Sequence, residues 1–339
     1  MKKLDCQSAS EIVIFGALGD LSRRKLFPAL YQLEVCGLIN EDSRIVGVAR
    51  QKHSLEEFKA IVLENISNFV KEELDEEVLT RFTARLVYQQ LDMKEASAYE
   101  SLAATLSAGN DTRIYYFSTP PSIYGDICDG LNHADLIADD DRVVMEKPIG
   151  HCLESSKVIN NQVARFFKEE QIYRIDHYLG KETVLNLLVL RFANSLFTTN
   201  WDRNSIDHVQ ITVAESVGIE GRWGFYDEAG QMRDMIQNHL LQILSLLAME
   251  PPADLSAASI RAEKLKAVKA LCPIDRTNVK DKTVRGQYAD GYLNGVAVPG
   301  YLNEEGANTS SKTETFVAIK AEIDNWRWAG VPFYLRTGK

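Results

Sequence analysis

Cysteine is scarce and unpatterned: the 339 residues hold five (Cys6, Cys36, Cys128, Cys152 and Cys272), an odd number with no CxxC spacing. That excludes a disulfide framework and fits the reduced thiols of a cytoplasmic protein. The six histidines (His53, His133, His151, His177, His208 and His239) form neither an HxxxH pair nor a His/Cys group, so no metal site is expected. Long apolar runs are missing too. The longest, Val184 to Leu190 with Asn186 inside it, falls far short of the ~20 residues that span a bilayer. Lys2 and Lys3 are followed by no apolar stretch, and Asp5 and Glu11 interrupt the segment, so no signal peptide is expected. Positive charge is in deficit: 38 Lys and Arg against 48 Asp and Glu give a net charge of −10. This disfavours nonspecific nucleic-acid binding, which draws most of its affinity from a basic face.

What is present is ordinary globular material, 45% hydrophobic and 25% charged, in a chain long enough for two domains. The first half alternates short β-rich runs with helical patterns. The strand candidates are Glu11–Phe15, Arg44–Ala49, Leu86–Leu91, Arg113–Phe117, Arg142–Glu146 and Ile172–Ile175. Several are continuously apolar, as in a parallel sheet covered on both faces. Helical patterns run over Leu21–Cys36, closed by Gly37, and over Leu153–Lys168. The alternation predicts a Rossmann-type doubly wound α/β domain over residues 1–175. From residue 176 the rhythm changes. An apolar helix (Thr183–Arg191), an alternating strand (Ile206–Glu215), a strong helix (Met232–Met249, ended by Pro251-Pro252) and strands at Thr315–Ile323 and Val331–Leu335 predict an α+β domain with a large, mostly antiparallel sheet over 176–339.

Strand Ile12–Phe15 runs into Gly16-Ala17-Leu18-Gly19-Asp20-Leu21 and a helix opens at once. Gly16 permits a tight turn, and Gly19 permits close approach of a pyrophosphate to amides at the helix N-terminus. The pattern is GxxGxL rather than GxGxxG, and an ordinary β-turn-α corner would also read this way. The next strand ends at Ala49-Arg50. An arginine there pairs with a 2′-phosphate where an acid would bond a 2′-hydroxyl, which favours NADP; a solvated arginine is the plain alternative. Lys147 closes the strand Arg142–Glu146 before Pro148, at the strand end where ligands of such sheets collect. The bland counterpart is a surface Glu-Lys pair.

Tyr173-Arg174-Ile175-Asp176-His177-Tyr178-Leu179-Gly180-Lys181-Glu182 crowds ionisable groups between apolar segments. If helical, it puts His177 and Lys181 on one face, suited to a phosphate, with Asp176 about 100° away. Asp176 as a helix N-cap beside a solvated histidine remains the alternative. In the helix Met232–Met249, Met232, Met235, Ile236, Leu240, Ile243, Leu244 and Leu247 make a buried stripe, and His239 falls within it. A histidine there is either a satisfied core residue or a base that needs a carboxylate at its far nitrogen. Asp234 and Glu215 are candidate hydroxyl ligands or solvated acids.

Taken together, IFGALGDLSRRKL (14–26), EKPIG (146–150), RIDHYLGKE (174–182), RDMIQNHLLQ (233–242) and GVPFYLRTGK (330–339) resemble glucose-6-phosphate dehydrogenases of the enterobacterial type, in order from about residue 11 onward. The resemblance implies NADP-dependent oxidation of D-glucose 6-phosphate to 6-phospho-D-glucono-1,5-lactone, the entry step of the oxidative pentose phosphate pathway, in a cytoplasmic homodimer or tetramer. It places His239 on the base and Asp176 on its orienting carboxylate. His177, Tyr178 and Lys181 fall on phosphate positions. Lys147, Glu215, Asp234 and Lys339 fall on sugar positions, Lys147 also being near the nicotinamide. Gly16, Gly19, Asp20, Leu21, Arg50, Asp92 and Met93 fall on coenzyme positions. An imidazole, with an unperturbed pKa near ~6.5, takes a hydroxyl proton near neutral pH, while the coenzyme carries the redox step.

Family chains continue beyond the position of Lys339, through more sheet, the dimer interface and a second substrate lysine. The expectation is therefore a chain shortened at its C-terminal end, intact in its motifs but weakened in stability, assembly and activity. Two other functions compete. One is a different sugar oxidoreductase with the same architecture, against which the His177/Lys181 pair argues. The other is a non-catalytic NADP-binding or scaffolding protein, against which the His239/Asp176 pair argues.

Overall fold

A computed structural model describes residues 8–106, 112–215, 218–219 and 223–339, leaving aside the Phe225 side chain. Cys6 and the N-terminal segment read above for a signal peptide lie outside the described residues. The chain divides into two compact units, Met1–Ile175 and Asp176–Lys339.

The first unit is built on six strands: β1 (Ser10–Phe15), β2 (Arg44–Ala49), β3 (Leu86–Gln90), β4 (Thr112–Phe117), β5 (Arg142–Met145) and β6 (Ile172–Arg174). Between them run α1 (Phe27–Val35), α2 (Leu55–Phe69), α3 (Glu76–Ala84), α4 (Tyr99–Thr105), α5 (Tyr124–His133) and α6 (Leu153–Ala164). The order is β3-β2-β1-β4-β5-β6, all parallel, the doubly wound order expected from the alternation. Successive side chains of β1 feed two cores: Val13 and Phe15 join Val46, Val48, Tyr115 and Phe117, while Ile14 joins Ile45, Phe27, Phe58 and Phe82. Glu11 is 1% exposed yet stands in register with Arg44 and Arg113 on the flanking strands, at 2.9 and 3.8 Å. A one-residue slip would strand that buried carboxylate, so the pair fixes the register.

The helical pattern Leu21–Cys36 opens with one wide turn over Ser22–Leu26, closed by Phe27 N–H donating to Ser22 O, before α1 begins. It ends where the sequence placed its stop: Gly37 has φ +64°, and Leu38 N–H donates back to Leu33 O at 2.9 Å. The pattern Leu153–Lys168 gives α6 only as far as Ala164.

The second unit contains α7 (Glu182–Phe192), α8 (Ser195–Asn200), β7 (Val209–Ala214), α9 (Trp223–Gln231), a wide-turn segment (Met232–Leu240), α10 (Leu241–Ala248), α11 (Ala257–Lys269), α12 (Val279–Lys282), β8 (Thr283–Gly286), β9 (Gly291–Leu293), β10 (Val296–Val298), β11 (Phe316–Glu322) and β12 (Pro332–Gly338). Its main sheet has the order β7-β12-β11-β8; β7 pairs parallel with β12 and the other two pairings are antiparallel. The predicted antiparallel bias therefore holds in a mixed, four-stranded sheet. Val317, Ile319, Phe333 and Leu335 turn inward to a core with Met235, Ile236, Leu240 and Leu244. The residues Asp176–Lys181, conditionally read as helical, form a succession of turns instead, and α7 begins only at Glu182.

Candidate functional site

In the first unit the sequence-predicted coenzyme residues gather at the carboxyl ends of the strands. The strand order reverses between β1 and β4, the position where such sheets bind ligands. Gly16 closes β1 with φ +84°, and a Cβ there would stand 2.3 Å from Ser118 O, so neither the torsion nor the space admits another residue. The Gly16 and Ala17 amides both donate to Val48 O at 2.9 and 3.1 Å, and Gly19 N–H donates to Gly16 O at 2.9 Å. Those amides are thus spent on the corner itself. The first-turn amides of Asp20 and Leu21 are what the helix N-terminus presents to an anion. Ser22 Oγ–H braces the turn, contacting Gly16 O at 3.0 Å and Ser118 Oγ at 2.9 Å.

Arg50 is exposed just beyond β2, its carbonyl held by Gln90 Nε2 at 3.2 Å. Asp92 is exposed after β3 and accepts from Lys94 N–H at 3.1 Å. Met93 packs into the core, and its carbonyl accepts from Tyr99 OH at 3.2 Å. Lys147 is half-buried beyond β5, and its bond to Pro148 is cis.

In the second unit the site is assembled around His239. His239 is fully buried, and its Nδ1 lies 2.6 Å from Asp176 Oδ1. With Nδ1–H donating to the carboxylate, Nε2 is the basic nitrogen of the neutral ring. The same Asp176 oxygen accepts the Tyr178 amide at 2.9 Å, closing a turn that aims the carboxylate. Burial pushes the Asp176 carboxyl up, but the His239 hydrogen bond and charge, with the Tyr178 amide and His177, outweigh it and hold it below its ordinary value.

Tyr178 stacks on His239 with ring centroids 4.1 Å apart, and His177 stands 4.5 Å from the same imidazole. Lys181 Nζ lies 3.6 Å from the Tyr178 ring centroid. His177 and Lys181 are exposed, so the two side chains read as a phosphate pair are accessible even though the segment is not helical. Burial, followed by the charges of Glu215, Asp234 and Asp176, raises the Tyr178 hydroxyl above its ordinary pKa, which puts all three carboxylates in its field.

The Lys339 side chain is 5% exposed at the end of β12, where its Nζ makes a 2.7 Å ion pair with Glu215 Oε2. That approach satisfies distance without the alignment of a hydrogen bond, so it is a charge contact. The Glu215 amide continues the β7–β12 ladder by donating to Gly338 O at 2.9 Å. The parallel pairing of these two strands is thus what brings Glu215 and Lys339 together. Asp234 is half-buried in the wide-turn segment that also carries His239. There the Leu241 amide reaches back to Ile236 O, an i→i+5 bond. Such wide turns are rare and recur at functional sites.

Two features escaped the sequence. Tyr226 OH donates to Gln231 Oε1 at 2.6 Å and Gln231 Nε2 to Thr337 Oγ1 at 2.8 Å, a buried relay whose tyrosine ring lies 5.5 Å from Lys339 Nζ. Lys264 Nζ on α11 donates to Gln242 Oε1 at 2.5 Å; burial lowers its pKa, while Asp176 pulls it back up. Gln231 lies two residues before one quoted motif and Thr337 within another, so both could have been suspected. Nothing local marks Lys264. Among the described residues no group of three or more His, Cys, Asp or Glu could hold a metal ion, and no helix is long and apolar enough to cross a membrane.

Comparison with known proteins gives these units a family. Residues 13–186 match the family model for the glucose-6-phosphate dehydrogenase NAD binding domain, and residues 188–339 match that for the C-terminal domain. The glucose-6-phosphate 1-dehydrogenase of Dickeya dadantii is 60% identical over 98% of this chain and 67% of its own length. The crystal structure of the Mycobacterium avium enzyme is 40% identical, with a TM-score of 0.87 over 98% of this chain and 70% of that one. A solved glucose-6-phosphate dehydrogenase in complex with its substrate glucose-6-phosphate is 38% identical, with a TM-score of 0.88 over 98% and 69%. The chain thus spans about two thirds of the length of these relatives. On both units' evidence of sequence and fold, the chain belongs to the glucose-6-phosphate dehydrogenase family.

Proposed function

We propose that this chain oxidises D-glucose 6-phosphate to 6-phospho-D-glucono-1,5-lactone with NADP⁺, in the cytoplasm, as the entry step of the oxidative pentose phosphate pathway. The observation that carries the reading is the buried 2.6 Å His239–Asp176 pair, set among Lys181, His177, Glu215, Asp234 and Lys339. His239 Nε2 accepts the C1 hydroxyl proton, and Asp176 holds the tautomer and stabilises the imidazolium that forms. His177, Tyr178 and Lys181 bind the phosphate. Glu215, Asp234, Lys339 and Lys147 hold the sugar hydroxyls. The Gly16 corner, with Gly19, Asp20, Leu21, Asp92 and Met93 around it, fits a dinucleotide because a φ of +84° and the close approach to Ser118 O hold the turn tight ahead of the helix N-terminus. Arg50, with no acid at that strand end, selects the 2′-phosphate. When bound, the nicotinamide supplies the hydride acceptor.

Residues 1–175 form the NADP-binding domain in this reading, and residues 176–339 the substrate and dimerisation domain of a homo-oligomer. Assaying NADPH formation with glucose 6-phosphate, and with glucose in its place, tests the reading beside His239→Asn. Turnover is expected only with the phosphate ester, and is expected to fall by at least about 10³-fold in the variant. Equal rates on glucose, or an active His239→Asn, would overturn it.

A further inference from the structure

Below the polar cluster, the side chains of one short turn and one helix are layered. Tyr178 lies against His239 with planes 23° from parallel and centroids 4.1 Å apart. The Lys181 ammonium is 3.6 Å from the Tyr178 centroid. Two such approaches cannot share one face of a six-membered ring, so the tyrosine is sandwiched between the ammonium and the imidazole. Both rings are out of solvent, Tyr178 6% and His239 0% exposed. His177 closes the edge of the layer, 5.0 Å from Tyr178 and 4.5 Å from His239.

The hydrogen bond from Nδ1 to Asp176 sets where that nitrogen points but does not by itself set the tilt of the ring about the bond. The tilt decides where Nε2, on the other side of the ring, is aimed. A flat partner at stacking distance fixes that tilt at low entropic cost, because a buried aromatic side chain has few torsions to lose. The turn that supplies the flat partner also supplies the acceptor, since the Tyr178 amide donates to the same Asp176 oxygen that His239 uses.

We infer that Tyr178 is a positioning residue for the base: its ring, independently of its hydroxyl, fixes the plane of the His239 imidazole. The imidazolium formed on proton uptake then rests on the electron-rich face of an aromatic ring. The Lys181 ammonium on the other face ties that ring to the group that meets the substrate's anionic end. The inference rests on the function proposed above.

The test compares Tyr178→Phe, Tyr178→Leu and Lys181→Met in the full chain. It measures kcat and KM for glucose 6-phosphate, and the ring-current shift of the His239 imidazole protons by NMR. Tyr178→Phe keeps the ring: kcat stays within about threefold of the unaltered chain while KM rises. Tyr178→Leu loses the plate: kcat falls about 10–100-fold, as a tilted base requires, and the His239 signals lose their upfield shift. Lys181→Met raises KM and leaves that shift in place. Tyr178→Met, closer in reach to the ring, replaces the leucine variant should that one fail to fold. A leucine or methionine variant whose kcat and His239 signals match those of Tyr178→Phe overturns the inference. If the unaltered chain does not oxidise glucose 6-phosphate while the NMR shifts follow this pattern, it is the proposed function that fails and the stack that stands.

Discussion

Asp176 Oδ1 receives two donors, the His239 ring at 2.6 Å and the Tyr178 amide at 2.9 Å, and both favour the ionised carboxylate. Its pKa is accordingly held below the ordinary value of 3.8 despite burial. For an acid whose folded pKa is depressed, the unfolded chain binds the proton more readily, so stability rises with pH across the gap. The contribution is fully present above the unfolded value and is lost as pH falls through the lower, folded one. Asp176→Asn should therefore cost about 1–3 kcal/mol in chemical denaturation at neutral pH, the worth of a hydrogen bond to a charged group. The difference from the unaltered chain should shrink below about pH 4. The same variant should lower kcat about 10²–10⁴-fold, because an amide can present its N–H to Nδ1 and favour the wrong tautomer. A stability gap that widens toward acid would reverse the sign and remove Asp176 as the ionised partner.

At the scale of the element, the segment bearing His239 is held from its far end. The last four carbonyls of a helix have no partner within it, and before Pro251-Pro252 each here meets a side-chain donor. Arg191 donates to Leu246 O at 2.7 Å and Met249 O at 2.9 Å, Trp201 Nε1 to Leu247 O at 2.9 Å, and Trp328 Nε1 to Ala248 O at 2.9 Å. Trp328 is fully buried. Trp328→Phe strands the Ala248 carbonyl and leaves a void, and should cost about 2–4 kcal/mol in a denaturant melt. A loss below about 0.5 kcal/mol would show that the clamp is not needed.

This clamp also shows where sequence stops being legible. The strands β1, β2 and β4 could be read from apolar runs to within about a residue, and the buried stripe around His239 from its spacing, because those signals are local. Arg191, Trp201 and Trp328 are far apart in the chain and acquire meaning only when folded. The wide turns at Met232–Leu240 were hidden because Met235, Ile236 and Leu240 satisfy an α-helical stripe equally well. The Asp176–Lys181 turns were hidden because local side-chain bonding, here Asp176 to its own backbone two residues on, overrides helical spacing. The residues of the candidate site were nameable from their motifs. The stacking of Tyr178 on His239 was not.

Across the whole molecule, the corner at Gly16 and the arginine after β2 lie within Met1–Ile175, while His239, Asp176 and the polar groups around them lie within Asp176–Lys339. Each unit has its own core. In the proposed function, coenzyme affinity and proton abstraction draw on different parts of the chain, and they should respond separately to substitution. A ligand that binds only the folded state adds stability by mass action, about 2.7 kcal/mol at a hundredfold excess over Kd. NADP⁺ should therefore raise the melting temperature more than NAD⁺ at equal concentration, because Arg50 gains a charge-assisted partner only with the 2′-phosphate. Arg50→Ala should weaken NADP⁺ about 10–100-fold, the worth of one or two such bonds, and bring its protection down to that of NAD⁺. His239→Asn should abolish turnover yet keep the NADP⁺ protection of the unaltered chain. Two outcomes would break this division of labour: an Arg50→Ala chain still protected better by NADP⁺ than by NAD⁺, or a His239→Asn chain that NADP⁺ no longer protects. The first would move the choice of coenzyme away from the end of β2, and the second would tie coenzyme binding to the base itself.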